Sequence, residues 1–342
     1  MTAQTTTAAA TETASVLSVE GLRLDLLGRR GQERLVDDVT FDVSPGKAVA
    51  LIGESGCGKT LTALAVLGLL PSAVRPVSGS IRLDGTELLD GRTTEYESAR
   101  GRVVGAVFQD PMSSLDPTMT VGAQIVESRR VHLGESRAVA SRHAVELLDR
   151  VGIPNPKERS RSFPHEFSGG MQQRAMIAAA IACEPKLLIA DEPTTALDVT
   201  VQAEILELLL GLQRDLGMGL LLVTHDLGVV AGVADRVVVM YAGNVVERAD
   251  VDSIFERPQH PYTAALIGSV PRAERSRTPL QTIPGRVPPA GYFPTGCRFA
   301  PRCEFVDPDR CTSDHVSLTE RPDGSGVRCI RRDEIHLPGV QR

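Results

Sequence analysis

Three things are missing from this chain, and each absence closes off a class of protein. Basic residues do not dominate: 37 Lys and Arg stand against 43 Asp and Glu, a net charge of -6. A protein whose main task is to coat nucleic acid carries the opposite balance. No apolar run approaches the ~20 residues that a membrane-spanning helix needs. The opening MTAQTTTAAATETASV has no Lys or Arg and no apolar centre, so it reads as neither signal peptide nor span; its composition predicts a frayed tail over residues 1–14. At 342 residues the chain is still long enough for a full core and more than one domain, and it is expected in the cytosol.

Sheet signals come in two kinds. LRLDLL (Leu22 to Leu27) alternates apolar and polar, and LVDDVTFDV follows with β-branched and aromatic positions before the turn SPGK; both predict half-buried antiparallel strands. By contrast AVALIG (Ala48 to Gly53), LLIADEP (Leu187 to Pro193) and LLLVTHD (Leu220 to Asp226) are continuous apolar runs, the mark of parallel strands covered on both faces. Helical patterns such as LTALAVLGLL after Lys59 and SRHAVELLDRVGI (Ser141 to Ile153) lie between them, so the core is α/β. Ten of the 22 prolines fall between Pro258 and Pro308, which excludes long helices there and marks an irregular, separately organised extension. The predicted division is a core over 15–254, with a helical part near 110–185, and an extension over 255–342.

GESGCGKT, Gly53 to Thr60, fits the G-x-x-x-x-G-K-[ST] phosphate-loop pattern and sits between a buried strand and a helix, as that pattern requires. Gly53, Gly56 and Gly58 let the backbone of Glu54, Ser55 and Cys57 curl so that its N–H groups converge on phosphate oxygens. Lys59 would reach the β- and γ-phosphates, and the Thr60 hydroxyl would ligate Mg2+. Cys57 is read as a structural bystander that leaves the site open to thiol reagents. Asp191, after four apolar residues, stands where a carboxylate projects from a strand end toward Mg2+. Glu192 is a second acid that the metal does not need, which makes it the candidate general base for an attacking water. In SFPHEFSGGMQQRAMIAAAI, Ser168, Gly169 and Gly170 open onto an Ala-rich helix, and bare backbone at such an entrance admits an anion closely.

Taken together, the motifs resemble the ATP-binding cassette (ABC) ATPases, more narrowly the D-type ATP-binding subunit of oligopeptide, dipeptide and nickel importers. The matching stretches are GESGCGKT as Walker A, VFQDPMSSLDP as the Q-loop with Gln109, FSGGMQQR as the signature, LLIADEP as Walker B, TTALD as the D-loop with Asp198, and VTHD as the switch with His225. The resemblance implies a P-loop NTPase fold: an antiparallel β subdomain, a RecA-like parallel-sheet core, a helical signature subdomain and a Cys-containing C-terminal extension. It implies a head-to-tail dimer in which Ser168, Gly169 and Gly170 close over ATP held by the other subunit. Gln109 would contact Mg2+ or water, and His225 would hydrogen-bond the γ-phosphate and orient Glu192. The implied activity is ATP hydrolysis driving import of di- or oligopeptides, with nickel chelates or glutathione as other cargoes.

The implied partners are an F-type ATPase subunit, two permease chains and, indirectly, an extracytoplasmic solute-binding protein, at the cytoplasmic face of the membrane. A soluble ABC ATPase acting on ribosomes or DNA is opposed by the single cassette and the acidic balance. One departure concerns adenine, commonly stacked on an upstream aromatic: none occurs between Met1 and Thr40, leaving Arg29 or Arg30 as a guanidinium substitute.

Cys297, Cys303, Cys311 and Cys329 give C-x5-C-x7-C-x17-C in the Pro-rich extension. A reducing compartment disfavours disulfides, and four thiolates hold either zinc or an iron-sulfur cluster. The lack of C-x2-C knuckles favours iron-sulfur, with unligated buried thiols as the plain reading. HPYTAALIGSVP, IPG and GCRFAPRC resemble the C-terminal segment of peptide-importer ATPases, some of which carry a 4Fe-4S cluster at these cysteines. His315 is near enough in sequence to replace one Cys, and Cys183 reads as core.

Overall fold

The computed structural model describes residues 15–28, 31–89, 93–195, 197–270 and 282–340. The frayed tail expected over 1–14 and the adenine candidates Arg29 and Arg30 lie outside them. β1 (Leu17–Gly28) pairs antiparallel with β2 (Gly31–Val43) on one side and with β4 (Val74–Leu83) on the other, and β5 (Thr86–Glu87) completes this four-stranded sheet. Its apolar positions are Leu17, Val19, Leu22 and Leu24, a spacing of two interrupted once by three. A register shift between Val19 and Leu22 absorbs the extra residue, so all four side chains stay on the buried face.

Among the described residues the second sheet has eight strands. β3 (Ala48–Ile52), β6 (Val104–Val107), β7 (Leu187–Asp191), β8 (Gly219–Thr224) and β9 (Arg236–Tyr241) run parallel in the order β9-β3-β8-β7-β6. β3, β7 and β8 are buried at every position, which is why their sequences are apolar without alternation. One face of this sheet meets the antiparallel sheet through Leu51, Leu221 and Val238; the other meets the helical part through Ala190, Leu220 and Leu222. Helices α1 (Lys59–Leu67), α2 (Thr93–Ala99) and α3 (Pro111–Ser114) precede a cluster of α4 (Val121–Leu133), α5 (Arg137–Arg150), α6 (Pro156–Arg159) and α7 (Gly169–Ala180). Thr120, Ser136 and Ser168 start α4, α5 and α7 by accepting from the backbone N–H three residues on. Then come α8 (Val199–Leu216) and α9 (Leu227–Val233). Among the described residues no helix is long and apolar enough to cross a membrane.

The extension is not set apart from the core. After β10 (Asn244–Asp250), α10 (Val251–Glu256), α11 (Pro261–Gly268) and α12 (Pro308–Cys311), the chain returns as a hairpin of β11 (Thr319–Glu320) and β12 (Gly326–Val327). β12 pairs antiparallel with β10, Glu247 opposite Val327, and so lengthens the main sheet. Proline density keeps helices there short but does not stop two-residue strands from joining an open sheet edge. At the seam, the Tyr241, Tyr262 and Phe299 rings meet with centroids 4.7 to 5.4 Å apart. Arg298 pairs with Asp37 at 2.6 Å and Arg328 with Asp38 at 2.9 Å, tying the extension to β2.

Candidate active site

The phosphate loop leaves β3 and ends at α1, whose entrance is Gly58 at φ 104°. Gly53 has φ 147°, and a Cβ there would lie 2.1 Å from the Met240 carbonyl oxygen, so no other residue fits. Lys59 is buried and bends back over the loop, donating to the carbonyl oxygens of Gly53 at 2.7 Å and Glu54 at 3.2 Å. Its ammonium thus stands within the curl that the loop forms. Cys57 is fully buried, and burial raises its thiol above the ordinary range despite nearby Lys59, so the thiol-reagent sensitivity expected of it is opposed by its setting.

β7 ends on Asp191, brought to α1 by the parallel sheet: Thr60 Oγ1 donates to Asp191 Oδ1 at 3.4 Å. This hydroxyl and carboxylate are hard oxygen donors of the kind Mg2+ takes, so the pair fits that ion. Burial raises the Asp191 pKa, the Thr60 bond opposes this, and neighbouring Glu192 adds to it. Glu192 turns sharply out of the strand at φ 48°, a conformation that non-glycine residues seldom adopt. Its Oε2 accepts from Thr195 Oγ1 at 3.0 Å, and its Oε1 accepts from His225 Nδ1, also at 3.0 Å. Burial works against ionisation at Glu192, but the His225 and Thr195 hydrogen bonds outweigh it and hold the carboxyl below its ordinary value. The result is an ionised acid, gripped on both oxygens, beside a metal-type pair and a lysine-bearing loop.

Among the described residues the other sequence candidates share no hydrogen bond with these groups. Gln109 follows β6 and is exposed. Ser168 caps α7, and Ser168 and Gly169 are both exposed, with Gly170 half-buried. Asp198 starts α8 by accepting from Val201 N at 3.0 Å. Among the described residues no hydrogen bond joins the α7 entrance to the phosphate loop. Thr195, in the TTALD stretch, gets its role from the Glu192 contact, which spans one turn of loop and has no sequence signature.

Cys297, Cys303, Cys311 and Cys329 line one cavity in the extension, together with His260. His315 is exposed and does not line it, so the histidine at the thiols is His260 instead. The His260 Nδ1 accepts from Tyr262 N at 3.1 Å, which puts the ring proton on Nε2. That Nε2 is buried and has no hydrogen-bond partner among the described residues. Burial also drives the His260 pKa down to about 3, so the ring is neutral. Among the described residues no three His, Cys, Asp or Glu side chains form a group ready to hold a metal ion. Cys183 is buried, in agreement with a core position.

Comparison with known proteins bears on the whole chain. Residues 36–195 match the ABC transporter family, and residues 246–311 match the oligopeptide/dipeptide transporter C-terminal region. The dipeptide transport ATP-binding protein DppD of Escherichia coli is 44% identical over 315 residues, covering 92% of this chain and 96% of the relative. A Brucella abortus protein, named provisionally as a peptide import ATP-binding protein, is 49% identical over 332 residues, or 94% of this chain and 98% of its own. Among solved structures, a dimeric bacterial ABC transporter cassette superposes with a TM-score of 0.62 at 25% identity, covering 69% of this chain and 98% of its own.

Proposed function

The chain belongs to the ABC transporter family as an ATP-binding subunit, and on that premise we propose how it works as the ATP-hydrolysing motor of a peptide importer. ATP is held on the Gly53–Thr60 loop, with Lys59 released from the loop carbonyls to meet the phosphates. Thr60 and Asp191, with Gln109, would hold Mg2+, and the ion would supply positive charge to offset that of the phosphates. Glu192 accepts the proton of the attacking water at its carboxylate. His225 fixes the direction of that carboxylate, and Thr195 holds its second oxygen. The observation that carries this reading is Glu192 itself: a strained, ionised carboxylate clamped at 3.0 Å on each oxygen next to the Thr60–Asp191 pair.

Ser168 and its two glycines complete the pocket of a second cassette, and Asp198 lies at that junction. The exposed α7 entrance and the dimeric cassette that this chain resembles support the arrangement. An F-type subunit is the partner we infer, the pair docking on two permease chains at the cytoplasmic face and fed by a solute-binding protein. Peptide cargo is supported by the names of the relatives and by the matching C-terminal region.

The cysteine cavity we assign to a 4Fe-4S cluster. The support is the spacing, which lacks the paired C-x2-C knuckles of structural zinc sites. Cys297, Cys303, Cys311 and Cys329, which line one cavity, would each supply a thiolate to one of the four irons. The unpartnered His260 Nε2–H supplies a donor aimed at none of the protein's own acceptors.

Glu192→Gln tests the central claim. The variant should bind ATP as the wild type does while hydrolysis in the assembled complex falls roughly 10²- to 10⁴-fold; near-normal turnover would remove Glu192 from this role.

A further inference from the structure

The phosphate loop is gripped from outside by the extension. Glu54, its second residue, donates its backbone N–H to the Tyr262 hydroxyl at 2.9 Å, so this N–H, expected to meet the phosphates, is taken by the extension instead. Its carboxylate is taken by both arms of Arg302, Nη1 to Oε2 at 2.6 Å and Nη2 to Oε1 at 3.0 Å. Tyr262 lies 208 residues further along the chain and Arg302 248, so both contacts exist only because the extension folds back on the core. Fork-to-fork pairing of this kind fixes angle as well as distance, which a lysine at the same place would not do.

Arg302 is itself immobilised. It is 7% exposed, its Nε donates to the Pro284 carbonyl oxygen at 2.7 Å, its Nη1 reaches the Tyr241 hydroxyl at 3.3 Å, and its guanidinium stands 5.6 Å from the Tyr241 ring centre. The Ala300–Arg302 turn that bears it packs against the Tyr241–Tyr262–Phe299 aromatic cluster. A buried cation could be satisfied by any acid on the core. This one holds the loop residue that sits between the strained Gly53 and the glycines enclosing the phosphate position.

We propose that Arg302 is a positioning residue for nucleotide binding, holding the phosphate loop through Glu54 in the curl that ATP requires. The inference rests on the reading that this loop binds ATP. Its physical content is preorganisation: a loop already curled loses less freedom when the phosphates arrive, so affinity rises without any contact between Arg302 and the nucleotide. The cassette core alone would carry a looser loop, and the extension becomes part of the ATP site.

The test is made on the full chain with a fluorescent ATP analogue, by equilibrium binding, and by hydrogen exchange over residues 53–60. Arg302→Gln should weaken binding roughly tenfold and speed exchange in that segment, and Glu54→Gln should do the same. The double variant should be no worse than the weaker single, because both remove one interaction. Arg302→Lys should recover part of the affinity, and turnover at saturating ATP in the assembled complex should stay within about twofold of wild type. Wild-type affinity with unchanged exchange in Arg302→Gln, or additive losses in the double variant, would overturn the proposal. Should Arg302→Gln fail to fold by circular dichroism, Glu54→Gln decides alone, and wild-type affinity there is fatal to it. A wild-type chain that binds no analogue would sink the ATP reading as well, an outcome distinct from variants that bind normally.

Discussion

At the scale of single residues, the distinctive object is the Glu192 carboxylate. It is kept ionised against its burial by two hydrogen bonds, so removing one moves its titration upward. His225→Ala is therefore expected to slow hydrolysis by about two orders of magnitude and to shift the acid limb of the kcat profile to higher pH. The sign follows from direction alone: the base must be ionised, and a weaker hold on its charge means that it protonates at a less acidic pH. A pH–rate series on the assembled complex checks this, and an unmoved acid limb would detach His225 from Glu192. Asp191, Glu192 and His225 were legible because each ends a buried apolar run, where a charged or polar side chain has no packing reason to be. Thr195 and Arg302 were not: their meaning lies in one side-chain contact, and Arg302 meets its partner 248 residues away.

At the scale of elements, the parallel strands were the easiest to read, since β3, β7 and β8 are covered on both faces and stay apolar up to the Asp191 and Thr224 that end β7 and β8. β11 and β12 were invisible for the opposite reason. Two residues have no period, and their pairing with β10 depends on a chain return that no local pattern announces. The extension's cysteines were legible by composition, while the histidine facing them was misplaced, because sequence proximity favoured His315 and folding delivers His260. The prediction here concerns metal content. Purified without oxygen, the protein should be brown, with a broad absorbance near the visible edge and about four irons per chain. Zinc without iron would overturn the cluster, and no metal of either kind would leave four plain thiols, Cys311 buried and the other three half-buried.

At the scale of the whole molecule, one buried acid makes stability depend on pH. Glu247 on β10 accepts from the backbone N–H groups of Gln259 at 2.7 Å and His260 at 2.9 Å, so it pins the start of the extension to the core. Burial pushes its pKa up from the ordinary 4.5 to about 7, the two backbone donors only partly offsetting this. Between those values the folded protein holds a proton that the unfolded chain releases, so stability falls as pH rises from 4.5 through about 7. Glu247→Gln removes that proton exchange. The melting-temperature difference, variant minus wild type, should climb across this interval and flatten above it; a constant difference would mean that Glu247 stays charged when folded.

The strand pairing beside Glu247 also bears on how far the chain can be shortened. Cutting after Glu256 would strip β12 from β10 at Glu247 and Arg248 and uncover apolar side chains that Phe299 and Tyr262 now cover. Such a rim recruits its like from neighbouring copies. The smallest well-behaved version of this protein is therefore larger than the nucleotide-binding part, and trimming for crystallisation or expression would trade a tidy boundary for precipitate.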